Sequence, residues 1–170
     1  MGFRIECDKA ERYFRNLMTR DIAGSVVRRL IARGMNIAKP LAQAASPSVG
    51  QSIVADPIET NGAVATGSFG TNADIAPYIE FGTGRPGKNG EVKNGQPRNP
   101  AAAGFGYTLQ TVIKSGRRKG QIRQGWVYYD GRFHHTFGQA AKPFMYPAQL
   151  QLEKEAAEIA GVTVRDNIAR

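Results

Sequence analysis

Helical periodicity brackets the chain at both ends, and shorter patterns of period two fill the space between. In the N-terminal stretch Phe14, Leu17, Met18, Ile22, Val26, Val27, Leu30, Ile31, Met35 and Ala38 recur at the three- and four-residue spacing of one helix face. Asp8 followed by Glu11 resembles a capping box. The pattern predicts an amphipathic helix over residues 8–44, weakened by Gly24 and Gly34 and kinked or ended at Pro40. Ala45–Gly50 predicts a turn. Residues 51–70 predict a hairpin centred on Thr60-Asn61-Gly62, because Asn-Gly suits the positive φ angles of a two-residue turn. Residues 74–81 predict a short helix or extended piece, and residues 82–104 a long loop dense in Gly, Pro and Asn. With no apolar anchor, that loop is expected to be mobile until a partner orders it. Strands are predicted over 105–137, interrupted by a basic loop at 114–123. Asp130-Gly131 is expected to close an aromatic hairpin in which Trp126 and Tyr128 meet Phe133 and Phe137. The last helix is predicted over 147–169, with Pro147 at its first position, where a missing N–H costs nothing.

Composition narrows the class. A chain of 170 residues with 41% hydrophobic and 22% charged residues predicts one soluble globular domain, and no second domain or internal repeat is visible. No apolar run approaches the length of a membrane span, and no leader-like apolar stretch follows Met1. The single Cys7 excludes an internal disulfide and fits a reducing compartment. The net charge of +9 favours contact with nucleic acid, an acidic protein face or an anionic surface. The charge is clustered. Lys114, Arg117, Arg118, Lys119 and Arg123 fall within ten residues that carry no acid, and Arg85, Lys88, Lys93 and Arg98 decorate the long loop.

Candidate chemistry is sparse. Gly82, Gly87 and Lys88 have the spacing of a phosphate-binding loop. Asn89 stands where the magnesium-holding hydroxyl belongs, and Gly90–Pro97 is too rich in Gly, Asn and Pro to form the helix such a loop must open. His134 and His135 are adjacent on a predicted strand and point to opposite faces, so they do not form a metal-binding pair. No nucleophile elbow surrounds any Ser. Neither a catalytic residue nor a metal or cofactor site is expected. The aromatic hairpin beside basic loops fits a general nucleic-acid-binding protein, although the same aromatics also suit the core of a small sheet.

Ala76-Pro77-Tyr78-Ile79-Glu80-Phe81-Gly82-Thr83-Gly84 resembles the Tyr-Ala-x-Tyr-Val-Glu-x-Gly-Thr signature of a tailed-phage family of tail components, whose members are neck or tail-completion proteins. Ala141–Ala148 resembles its second signature, Pro-Phe-Leu-x-Pro-Ala, and Ser46–Ile53 is similar to its Ala-Pro-x-x-Thr-Gly-x-Leu-x-x-Ser-Ile segment. A long basic N-terminal helix is also typical. Val49 in place of Thr, Pro77 in place of a small residue and the long loop after Gly84 depart from the pattern. The resemblance implies an α+β fold, with a small, mostly antiparallel sheet packed by a long N-terminal and a C-terminal helix. It implies a ring-forming virion protein at the head–tail junction, made in the host bacterial cytoplasm and not an enzyme. Its implied partners are further copies of itself, neighbouring head-completion and tail-terminator or tail-tube proteins, and genomic DNA in the lumen. No membrane contact is implied. Tyr78, Glu80, Phe81, Gly82, Thr83, Gly84, Pro143, Phe144 and Pro147 become interface candidates, with Tyr78 and Phe81 packing inward, Gly82 and Gly84 turning the chain, and Glu80 pairing with an arginine.

Overall fold

A computed structural model describes residues 21–61, 64–104, 110–129 and 131–169. The fold is α+β: two long helices and small antiparallel sheets. Helix α1 spans Ile22–Ala45 and the C-terminal helix α5 spans Met145–Ile168. Between them lie α2 (Pro47–Ser52), α3 (Ala76–Phe81), α4 (Gly84–Lys88) and a 3-10 turn at Pro100–Gly104. Among the described residues no helix is long and apolar enough to cross a membrane.

Helix α1 starts at Ile22, and the predicted stretch before residue 21 lies outside the described residues. Asp21 is not helical; its Oδ1 accepts the Gly24 N–H at 2.8 Å and so caps the helix. Asp8 and Glu11 lie outside the described residues. Pro40 does not end the helix, which runs on to Ala45. Pro40 and Asn36, four residues before it, are both exposed, so a proline here interrupts the helix on its solvent side. The turn expected at 45–50 is instead the short helix α2, with Pro47 at its first position and Val49 fully buried.

Helices α1 and α5 pack antiparallel. Arg29 donates to Asp166 at 2.7 Å, and Arg33 makes two parallel bonds to Glu155 at 2.6 and 2.8 Å. Gly34 explains itself at this crossing: a Cβ there would lie 2.6 Å from the Phe69 ring and 2.8 Å from Leu152 Cδ1. The core continues past the crossing as one cluster of Ala38, Ala42, Val49, Ile53, Ala76, Ile79, Phe144 and Ala148.

Among the described residues the strands form four two-stranded antiparallel ladders. Strand β1 (Val54–Ala55) pairs with β4 (Phe69–Gly70), and β2 (Glu59–Asn61) pairs with β3 (Val64–Thr66). These are two stretches of the predicted hairpin. Ala55 faces Phe69 while Glu59 faces Thr66, so the first arm spends one residue more than the second between the ladders. Pro57 lies in that interval and cannot donate to a ladder. Strands β5 (Gln110–Val112) and β6 (Ile122–Gln124) form a second hairpin, and β7 (Trp126–Tyr129) and β8 (Phe133–Thr136) a third. Residues 105–109 of the expected strand lie outside the described residues. In the third hairpin the register sets Trp126 opposite Thr136, Tyr128 opposite His134 and Tyr129 opposite Phe133. The expected meeting of Trp126 and Tyr128 with Phe133 and Phe137 therefore does not occur across the ladder. Phe133 is 80% exposed and Phe137 is also exposed, so neither is core.

The Arg33 pair sets a pH dependence. The Arg33 hydrogen bonds, helped by Gln151 and by the arginine charge, hold Glu155 down from its usual 4.5 to about 2. A carboxylate depressed on folding contributes stability that is present above its unfolded pKa and is lost as pH falls through the folded one. Arg33→Gln is expected to return the Glu155 titration midpoint toward 4.5, to remove its share of stability above about pH 4.5, and to flatten the loss of stability that it causes between about pH 4.5 and 2, read by carboxyl NMR titration and by acid unfolding.

Candidate functional site: a carboxylate clasp on the C-terminal helix

Helix α5 starts without a local cap. Phe144 occupies the cap position and offers no acceptor side chain. A helix leaves its first four N–H groups without intrahelical partners, here those of residues 144–147. Pro147 has none to offer. The other three all donate to Glu80: Phe144 and Met145 to Oε2 at 2.7 and 3.0 Å, and Tyr146 to Oε1 at 3.0 Å. Asn99 Nδ2 donates a fourth bond to Oε1 at 3.1 Å. Asn99 is oriented in turn, since its Oδ1 accepts the Ala101 N–H at 3.0 Å. Helix α5 thus begins at Met145, two residues before the predicted start, and Pro147 stands at its third position.

Glu80 is only 4% exposed. Burying a carboxylate without partners is costly, and four donors together with the positive end of the helix dipole offset that cost. The arginine partner expected for Glu80 is replaced by backbone amides. Among the described residues no ion pair involves it. Helix α3 presents it: Ala76, Ile79 and Glu80 share the buried face at helical spacing. Tyr78, expected to pack inward, falls off that face and is 39% exposed, and Phe81 is half-buried.

Residues 82–104 form a fastened strap. Gly82 and Gly84 have φ of 73° and 59°, so both turn the chain through the left-handed region. Thr83 and Gly84 then bridge to Gln139 and Gly138 of β9 (Gly138–Gln139), and Thr83 Oγ1 accepts the Gln139 N–H at 3.1 Å. Further along, Val92 bridges in parallel to Ala141, and Asn94 Nδ2 donates to the Pro143 carbonyl at 2.8 Å. Arg98 folds inward and donates to the Gly87 carbonyl at 2.6 Å. The expected mobile loop is therefore anchored, by backbone and polar bonds in place of apolar side chains. Helix α4 ends at Lys88, so no helix opens from the Gly82–Lys88 spacing as a phosphate loop requires.

The interface candidates thus converge. Glu80, Gly82, Thr83, Gly84, Pro143, Phe144 and Pro147 are all buried, and Phe144 shares its core cluster with Ile79, Val49 and Ile53. The basic candidates separate. Arg85, Lys88 and Lys93 are exposed on the strap, whereas Arg98 is a strap fastener. Lys114, Arg117, Arg118 and Lys119 are exposed at the tip of the β5–β6 hairpin. Arg123 lies on β6 in place of the predicted loop. His135 meets Phe137 edge to face at 4.7 Å. Asn99 was not singled out by sequence. Its only signal is a polar residue between prolines.

Two substitutions test the clasp. Glu80→Ala leaves three amides and the Asn99 side chain without their acceptor, and is expected to cost on the order of 3 kcal/mol in urea unfolding. Glu80→Gln keeps the shape but turns a donor toward donors; amide exchange at residues 144–146 is expected to accelerate in it before global unfolding. An arginine-pair role would leave those amides protected. Gly82→Ala forces a Cβ to 2.7 Å from the Ala141 nitrogen at positive φ, with an expected loss of about 2 kcal/mol or more in thermal or denaturant unfolding.

No protein-family model, curated protein or solved structure matches this chain.

Proposed function

We propose that the protein is a structural subunit of a tailed double-stranded DNA phage or prophage, a ring-forming neck or tail-completion component at the head–tail junction. The observation that carries this reading is the clasp. The two segments with the strongest resemblance to the tail-component family, 76–84 and 141–148, meet at Glu80 in one buried feature. The third, 46–53, supplies Val49 and Ile53 to the cluster beneath it. Their meeting in one buried feature is what a shared family structure would produce.

The surface supports an assembly role over catalysis. Phe133, Ile122, Val112 and Phe137 are exposed on the two C-terminal hairpins. A two-stranded hairpin gains little stability alone, and apolar side chains left outside it suit contact with neighbouring subunits. Contacts of this head-to-tail kind close into a ring when the rotation between copies divides a full turn. The implied partners are further copies of the chain and the adjoining head-completion and tail proteins.

The test is genetic. Deleting the gene from a phage or inducible prophage that carries it is expected to yield DNA-filled heads beside separate, finished tails in electron micrographs of the lysate. Intact, infectious particles would overturn the reading.

A further inference from the structure

We propose that the tip of the β5–β6 hairpin is a sequence-independent contact for the phosphate backbone of duplex DNA. That the DNA is a packaged genome rests on the virion reading above; the binding itself does not.

The tip is built to hold charge outward. The Val112–Ile122 pair ends the ladder, and two further bonds extend the hairpin: Ile113 N–H to the Gln121 carbonyl at 3.0 Å, and Gly120 N–H to the Ile113 carbonyl at 2.9 Å. Beyond them the chain turns twice, with Lys119 N–H on the Gly116 carbonyl and Gln121 N–H on the Arg118 carbonyl, both at 3.0 Å. Gly116 and Gly120 take φ of 79° and 86°, which only glycine adopts freely. The tip is therefore an ordered scaffold for Lys114, Arg117, Arg118 and Lys119, all exposed.

These four cations differ from three arginines of helix α1 and from Arg98 on the strap. Arg28, Arg29 and Arg33 are each spent on a carboxylate, and Arg98 on a carbonyl. Among the described residues none of the four tip cations forms an ion pair. No acid lies between residues 92 and 129 to offset them. Four like charges within six residues repel one another in the free protein, and a polyanion relieves that repulsion.

Duplex DNA fits better than a single strand. Residues 113–121 contain no aromatic side chain on which a base could stack. A two-stranded ribbon has the width that the major groove admits, and the chemistry at its tip is that of phosphate contact: guanidinium, ammonium and the Ser115 hydroxyl. Strap cations Arg85, Lys88 and Lys93 are spread over a longer segment that includes Glu91.

The experiment is fluorescence anisotropy of the full-length protein with a labelled duplex of about 30 base pairs at several salt concentrations. Four neutralised phosphates predict a log–log slope of about −3.6, or roughly 150-fold weaker binding at 200 mM than at 50 mM salt. The quadruple variant K114Q/R117Q/R118Q/K119Q is expected to lose most of that slope and at least tenfold in affinity at low salt, with an unchanged circular dichroism spectrum and melting temperature. The strap variant R85Q/K88Q/K93Q is expected to keep both. An unaltered slope in the quadruple variant, an equal loss in the strap variant, or no binding by the wild type at low salt would overturn the proposal. Displacement of bound duplex from the wild type is expected with unlabelled duplex of unrelated sequence. Binding of polyglutamate with no binding of duplex would assign the tip to an acidic protein partner and likewise overturn it.

Discussion

Three backbone N–H groups at the start of a 24-residue helix lie against the fold, one of them fully buried, and they need an acceptor. Phe144 at the cap position cannot supply one. Glu80 does, from 64 residues earlier in the chain. The dependence runs both ways. The carboxylate would be costly to bury without the helix end, and the helix end would be costly to bury without the carboxylate. Phe144 is thereby free to be a core residue, and it joins Ile53 and Val49 among the largest fully buried side chains. A local Ser or Asp cap at that position would satisfy one amide but leave the centre of the core without its largest ring.

The strap follows from the clasp. Asn99 completes the coordination of Glu80, so the chain between Phe81 and Pro100 must leave the carboxylate and return to it. It does so over the segment that feeds α5, which is why Thr83, Val92 and Asn94 bond successively to residues 139, 141 and 143. The bonds are short-range in space and nearly all polar. That allows a segment almost devoid of large apolar residues to be held in one course.

This is also where sequence reading fails and where it succeeds. Both long helices were legible from apolar spacing, and two hairpins from Asn-Gly and Asp-Gly, because those signals are local. The helix start at Asp21 was present in the sequence as a good cap residue, but the apolar stripe continues through it and masks it. The exposure of Phe133 and Phe137 was not legible. Alternation says which residues share a face, not whether anything covers that face. The clasp was half legible. A lone Glu between apolar neighbours announced a buried partner, and the obvious partner was an arginine. The better clue lay elsewhere, in a predicted helix start with Pro147 but no capping side chain, which implies an acceptor from a distant segment. Neither clue suffices alone, since only the folded chain brings residue 80 to residues 144–146.

The placement of charge has a similar logic. Three arginines of α1 are engaged, Arg28 with Asp21 and Arg29 and Arg33 binding α1 to α5, while Arg98 holds the strap. An exposed ion pair adds little stability, so pairing charge in the body is inexpensive insurance against repulsion there. At the β5–β6 tip the same residue types stand outside any ion pair among the described residues, on a turn shaped by two glycines at positive φ. Folding needs no cation at such a position; polar, uncharged side chains would satisfy the turn equally well. Charge that the fold does not require is concentrated on that turn, where the proposed phosphate contact would use it.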